Sequence, residues 1–224
     1  MLRTIIKPYK YRLISNALEN EKSIKILDVG CGHNSFNICK RYFRYDIFDG
    51  IDKEIWQGKE DDYKSFTNLF FFNLETEAEK INDLPNNYYD LILLSHVIEH
   101  INNGEQVIKK LIPKLAFDGI IYIETPSEKT LKYPSGIGFF NFHDDPTHKK
   151  VYSYRKLANT LIQNNCKVIK AGIRRDPLRI LLYSPVFLLW NFVYSLPIKH
   201  KWDVRGLWDF FGIPQFVIGR KNNC

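Results

Sequence analysis

Short, dense apolar runs recur along the chain, each closed by a polar residue or glycine and separated from the next by a longer mixed stretch. Lys25 to Val29, about Ile47 to Ile51, Leu69 to Phe72, Leu91 to Leu94 and Ile120 to Glu124 read as five strands, with a sixth near Val168 to Ile173 and a last one at Phe216 to Lys221. Continuous apolar runs of this length suit strands covered on both faces, whereas a sheet wet on one side would alternate. Between them, Gly104 to Ala116 places Val107, Ile108, Leu111 and Leu115 on one helical face, and Tyr154 to Asn164 follows Ser153, a residue suited to cap a helix N-terminus. Asp118-Gly119 reads as the turn into the fifth strand. Strands alternating with helices predict an α/β, doubly wound, mostly parallel sheet.

With 224 residues, 45% of them hydrophobic, the chain is long enough for one such domain with a sizeable core and too short for two. Residues 1–22 read as an N-terminal arm or helix without an apolar leader segment, and residues 176–213 as an insertion or lid before the last strand. The formal charge of +7 would favour an anionic partner, but the lysines and arginines are dispersed, with no basic block or aromatic-interleaved nucleic-acid motif. That excludes nucleic acid as the first reading. Cys31, Cys39, Cys166 and Cys224 form no Cys-x-x-Cys pair, which points to a reducing, cytoplasmic setting.

The first strand ends in Asp28-Val29-Gly30-Cys31-Gly32, and an acid, Asp52, ends the second strand twenty residues past Gly32. Glycines at this turn let the backbone leave the strand sharply and lie against a ligand, while an acid after the second strand can accept bonds from ribose hydroxyls. A dinucleotide site would need glycine where Ser35 stands, and no Lys-Ser or Lys-Thr P-loop is present. The turn therefore suits a nucleoside cofactor without a pyrophosphate.

These residues resemble the class I S-adenosylmethionine (SAM)-dependent methyltransferases, type 11/23-like, whose first motif is an acid followed by Gly-x-Gly. The resemblance implies a Rossmann-like sheet of seven strands with an antiparallel last strand, and SAM as cofactor. It implies that Asp28, Gly30, Cys31 and Gly32 approach the methionine part and ribose, and that Asp52 takes the ribose diol. Asn34 stands where a third glycine is frequent and can still adopt a positive φ. Asn73 and Leu74 would lie against adenine, with Asn73 replacing a frequent aspartate. Ser95 and His96, after the fourth strand, would face the sulfonium.

Methyl transfer to oxygen requires a base, and His96, His143 and His148 are the candidates, since imidazole titrates near working pH. The run His96-x-x-Glu99-His100, with a later histidine, is similar to methyltransferases that hold a divalent metal through Glu-x-x-Glu-His, including ubiquinone-pathway O-methyltransferases and small-RNA 2′-O-methyltransferases. Read as one helix face, it implies a Mg or Mn site at Glu99, His100 and His148. Residues 178–196 are apolar enough to suggest a lid, a homodimer contact or a peripheral membrane contact at the inner face, although Arg179, Pro185 and Asn191 oppose a full span. Tyr183, Trp190, Tyr194, Trp202 and Trp208 suit a glycan or lipid-linked acceptor, and the Asp144-to-His148 loop is similar to one in methyltransferases of bacterial surface-polysaccharide synthesis. An RNA 2′-O-methyltransferase and a non-catalytic SAM-binding regulator are the alternatives.

Overall fold

A computed structural model describes residues 7–18, 23–32, 35–55, 57, 60–135, 141–177, 180–181 and 208–222. Asn34 and almost all of the 178–196 segment, with Tyr183, Trp190, Tyr194 and Trp202, lie outside the described residues. Among the described residues no helix is long and apolar enough to cross a membrane.

The strands are β1 (Ile24–Val29), β2 (Tyr45–Asp52), β3 (Leu69–Phe71), β4 (Tyr89–Ser95), β5 (Leu115–Pro126), β6 (Cys166–Ile173) and β7 (Pro214–Lys221). They form one sheet in the order β3-β2-β1-β4-β5-β7-β6. The β1–β2, β1–β4, β2–β3 and β4–β5 pairs are parallel, while β7 runs antiparallel to both β5 and β6. The seven-stranded, mostly parallel α/β sheet read from the sequence is the one observed.

Each strand sends alternate residues to opposite faces. Ile26, Leu91, Leu93, Ile120 and Tyr122 pack on one side with Tyr11, Leu13, Ile14 and Ala17 of α1 (Tyr9–Leu18). On the other side, Leu27, Val29, Ile92, Leu94 and Ile121 pack with Val107, Ile108 and Leu111 of α4 (Gly104–Leu111) and Leu157 and Leu161 of α5 (Tyr154–Gln163). In chain order the remaining α-helices among the described residues are α2 (Ser35–Cys39), α3 (Glu60–Tyr63), α4, α5 and α6 (Trp208–Phe211). Ser153 caps α5 by accepting the Lys156 amide. Following the same alternation to the carboxyl ends puts Asp28, Ser95 and Glu124 on the α1 side, above Ile26, Leu93 and Tyr122. The α1 face of β1, β4 and β5 is apolar until its last row and polar there, which is where ligands of open α/β sheets bind.

Two local expectations are corrected. β5 starts at Leu115, so the helix from Gly104 is α-helical only to Leu111 and closes in a 3-10 turn, Ile112–Lys114. Asp118-Gly119 is a bulge inside the strand: Tyr89 pairs with Leu115 but Leu91 with Ile120, and Asp118 takes a φ of 60°. A Cβ on Gly119 would meet the Tyr89 carbonyl oxygen at 2.8 Å, so the bulge fits against β4 only with glycine.

Candidate functional site

At the end of β1 the chain turns on Gly30, whose φ of 66° puts it in the left-handed region. The Gly30 and Cys31 amides donate to the Ile51 carbonyl at 2.7 and 3.1 Å, and a Cβ on Gly30 would run into Val97. Gly32, at φ 53°, is different, because a Cβ there would meet no atom within 4 Å. One glycine serves close packing and the next faces open space, the arrangement a nucleoside needs to lie against the backbone. Asp52, 9% exposed, is fixed by amides: Gly32 N donates to one carboxylate oxygen and Lys53 N to the other, both at 2.7 Å. The oxygen bonded to Gly32 N also accepts a weak bond from the Cys31 thiol at 3.9 Å, and the one bonded to Lys53 N keeps a lone pair for a ribose hydroxyl.

Asp28 is buried and accepts a bond from the Ser35 hydroxyl. Burial pushes its carboxyl up to about 6, against the opposing pull of Ser35 and Lys10. Burial also drives the Cys31 thiol up, which keeps it protonated and unfit as a nucleophile. Facing Asp28 and Ser95 is a residue that the sequence reading missed, Lys10 of α1. Its ammonium donates to Ser95 Oγ at 2.5 Å and lies 5.4 Å from the Tyr122 ring centre. A lysine on a polar helix flank carries no sequence signal of this; the placement depends on α1 packing across the sheet end.

On the adenine side, Leu74 is buried, whereas the Asn73 side-chain oxygen is taken by the Glu75 amide at 2.9 Å in a local Asx turn. The place against adenine expected for Asn73 would then fall to its amide nitrogen.

The helix face expected from His96 to His100 does not form. His96 takes a φ of 56° just before a one-turn 3-10 helix, Ile98–His100, and its amide donates to the Glu124 carbonyl at 2.9 Å. That kink turns the ring between two carboxylates, with Nδ1 3.2 Å from Glu99 and Nε2 3.2 Å from Glu124. Burial alone would lower its pKa, but the two carboxylates outweigh this and raise it to about 9. A ring donating from both nitrogens is an imidazolium and cannot accept a proton, so the expected base role of His96 fails on geometry. Glu124 is held in turn by Tyr122 OH and by Arg174, whose Nη1 lies 2.9 Å from both carboxylate oxygens. Burial would raise the Glu124 carboxyl, yet the charges of Arg174 and His96 keep it well below the usual range. Arg174 Nε also reaches Asp209 at 2.8 Å.

The other two histidines of the cluster behave differently. The Lys149 and Lys150 amides both donate to the Glu99 carbonyl, at 2.8 and 3.1 Å, and this draws the 141–148 loop onto the 3-10 turn. Ligand atoms of Glu99, His100 and His148 then lie within 4.8 Å of one another. His148 Nδ1 donates to the Phe142 carbonyl at 2.7 Å, and His100 Nδ1 bonds Thr147 through its hydroxyl at 2.9 Å and its carbonyl at 3.2 Å. A nitrogen bonded to a carbonyl must carry the proton, so in each neutral ring the lone pair is on Nε2. Glu99 is fully buried, and its Oε2 has no hydrogen-bond partner among the described residues. His143 stands apart, exposed and beside Phe142 in a capped 3-10 turn.

The chain matches the Methyltransferase domain family over residues 2–171. It is 23% identical over 194 residues to the mitochondrial ubiquinone biosynthesis O-methyltransferase of Dictyostelium discoideum, covering 84% of this chain and 54% of that protein. The chain thus spans about half the length of that relative. Among solved structures, a SAM-dependent methyltransferase from Archaeoglobus fulgidus superposes with a TM-score of 0.61 at 19% identity, over 95% of this chain and 92% of its own. One from Mesorhizobium loti does so at 0.63 and 12% identity, over 95% and 98%.

Proposed function

The chain belongs to the class I SAM-dependent methyltransferases, and from that premise we propose that it methylates an oxygen of a small-molecule acceptor seated against Glu99, His100 and His148. SAM supplies a methyl group already activated by its sulfonium, so the protein has to place the acceptor oxygen in line with it and take a proton away. Asp52 receives the ribose diol, Asp28 the donor's α-ammonium and Lys10 its α-carboxylate. Lys10 suits this role because, among the described residues, its ammonium has no carboxylate at ion-pair distance. His96, held as a cation, orients Glu99 and Glu124. Without a metal, His148 would take the proton through Nε2, which faces the Asp145 carboxylate at 3.8 Å while Nδ1 is held by the Phe142 carbonyl.

The observation that carries this reading is the buried Glu99, which has one oxygen without a partner among the described residues and a ligand atom within 4.8 Å of those of His100 and His148. A mixed carboxylate and imidazole set of this kind fits a first-row divalent ion, and Glu99, His100 and His148 would hold Mg or Mn. Such an ion would lower the pKa of an acceptor hydroxyl. The likeness to the Dictyostelium ubiquinone biosynthesis O-methyltransferase supports oxygen as the methylated atom. A saccharide or lipid-linked hydroxyl is the acceptor class that the aromatic residues of the 176–213 segment and the Asp144-to-His148 loop favour, with the protein in the cytoplasm or peripheral at the membrane's inner face.

Labelled-methyl transfer from SAM to a panel of glycans, lipid-linked saccharides and phenols tests this. His148→Ala should cost about 10²- to 10⁴-fold in rate. If chelation abolishes transfer and Mg²⁺ or Mn²⁺ restores it, His148 acts as a ligand; chelator-insensitive transfer assigns it the base role. Undiminished transfer by both His148→Ala and Glu99→Gln would overturn the assignment.

A further inference from the structure

We infer that the ion pair between Arg12 and Asp176 is a positioning device for the methyl donor, acting through Lys10; this rests on the reading of Lys10 as the contact to the donor's α-carboxylate. Arg12 Nη2 lies 2.6 Å from Asp176 Oδ1, although the two residues are 164 positions apart. Asp176 is fully buried, while the Arg12 side chain is 35% exposed. The aspartate follows β6 by three residues, at a corner pinned to β7 where the Arg174 amide donates to the Pro214 carbonyl at 2.8 Å. Arg12 is therefore tied to the rigid frame.

Helix geometry gives the tie its purpose. Successive residues project about 100° apart around a helix, so Lys10 and Arg12 flank Tyr11 on either side. Tyr11 faces inward, is 7% exposed and stacks on Tyr42 with ring centres 4.5 Å apart. Tyr11, with Leu13, Ile14 and Ala17, seats the inner face of the helix on the sheet, and Lys10 and Arg12 lie at its two edges. The two cations set the helix's fine orientation at these edges: Lys10 reaches Ser95 on one flank and Arg12 reaches Asp176 on the other. A roll that broke the Arg12 contact would swing the Lys10 ammonium off the carboxyl end of β4. Buried ion pairs are often replaceable by apolar pairs with little loss of stability, so a geometric role is separable from a stabilising one. The first residue of the 176–213 segment thus bears on donor binding, which would not follow if that segment served the acceptor alone.

The test uses the whole chain and two ligands, SAM and decarboxylated SAM, which differ in the carboxylate that Lys10 would hold. The variants are Arg12→Met with Asp176→Leu, which removes both charges together; Arg12→Lys, which keeps the pair; Lys10→Met; and the combination of Lys10→Met with the apolar pair. The expected result is that the apolar pair weakens SAM about tenfold while leaving decarboxylated SAM within about twofold, and that Arg12→Lys restores SAM affinity. In the Lys10→Met background the apolar pair should have no further effect, because the contact it positions is already gone. Equal losses for both ligands would mean a structural role, additive losses would mean action independent of Lys10, and no loss would mean no role; each overturns the inference. A wild-type chain that binds neither ligand would instead overturn the cofactor assignment, and the inference with it.

Discussion

The two halves of the site are built by different means. Around the glycine turn of the donor half, backbone groups do the holding: Asp52 receives Gly32 N and Lys53 N, and the turn hangs from the Ile51 carbonyl, while Asp28 and Lys10 are bonded singly to the Ser35 and Ser95 hydroxyls. At the acceptor half, charged side chains hold one another across long stretches of chain, running from Glu99 to His96, then Glu124, Arg174 and Asp209 in alternating sign. Backbone bonds cost little to lose one at a time, because the strands keep their register without them. A buried chain of alternating charges fails as a unit, since removing one member strands its neighbours. The donor half should therefore tolerate substitution in stability while losing affinity, and the acceptor half should respond the other way.

The largest expected effect follows from the centre of that chain. Glu124→Gln removes the counter-charge of both Arg174 and His96 in a setting where the glutamate is 2% exposed. It should cost about 3–5 kcal/mol of stability, read by urea unfolding. An unchanged unfolding midpoint would show that the acceptor half is no more cooperative than the donor half, and the contrast would collapse.

Asp52→Ala sharpens the comparison from the other side. Losing the acceptor of the ribose hydroxyls should weaken SAM by about 1–3 kcal/mol, measured by calorimetry, with a smaller loss of folding stability than Glu124→Gln produces. Binding that survived unaltered would remove the ribose from Asp52.

The same difference governs what could be read from the sequence. β1, the glycine turn and Asp52 were legible because they are contiguous or separated by one β-α-β unit of nearly fixed length. The mostly parallel α/β sheet follows from the same local regularity, whereas its strand order was not read from the sequence. The acceptor half was legible only as a group of residue types. Nothing in His96-x-x-Glu99-His100 announces a φ of 56° at His96, which replaces a helix face with a kink and turns an expected base into a cation between two carboxylates. Lys10, Arg174 and Asp209 were missed as site residues for a related reason: each acts by crossing between elements that only the folded sheet brings together.

The effect that most cleanly separates the halves is the pH dependence carried by Asp28. Its carboxyl, ordinarily at 3.8, is raised to about 6 by burial, with Ser35 from α2 and Lys10 from α1 opposing the rise and Asp52 from β2 adding to it. Between those values the folded chain binds a proton that the unfolded chain has released. Stability from this group is thus full below the ordinary pKa and is lost as pH rises through about 6, by at most about 1.4 kcal/mol per pH unit. Cofactor affinity should move in the opposite direction. The donor's α-ammonium needs the ionised carboxylate, so SAM should bind more tightly at about pH 7.5 than at about pH 5, levelling off once Asp28 has lost its proton. Calorimetric titration at the two pH values checks this, with Asp28→Asn as the comparison. The variant should bind with little dependence on pH and no more tightly than the wild type does at the acid end. A wild-type affinity that fell with rising pH, or a variant that kept the full dependence, would place the titrating group elsewhere and leave the donor half without its one acid-sensitive contact.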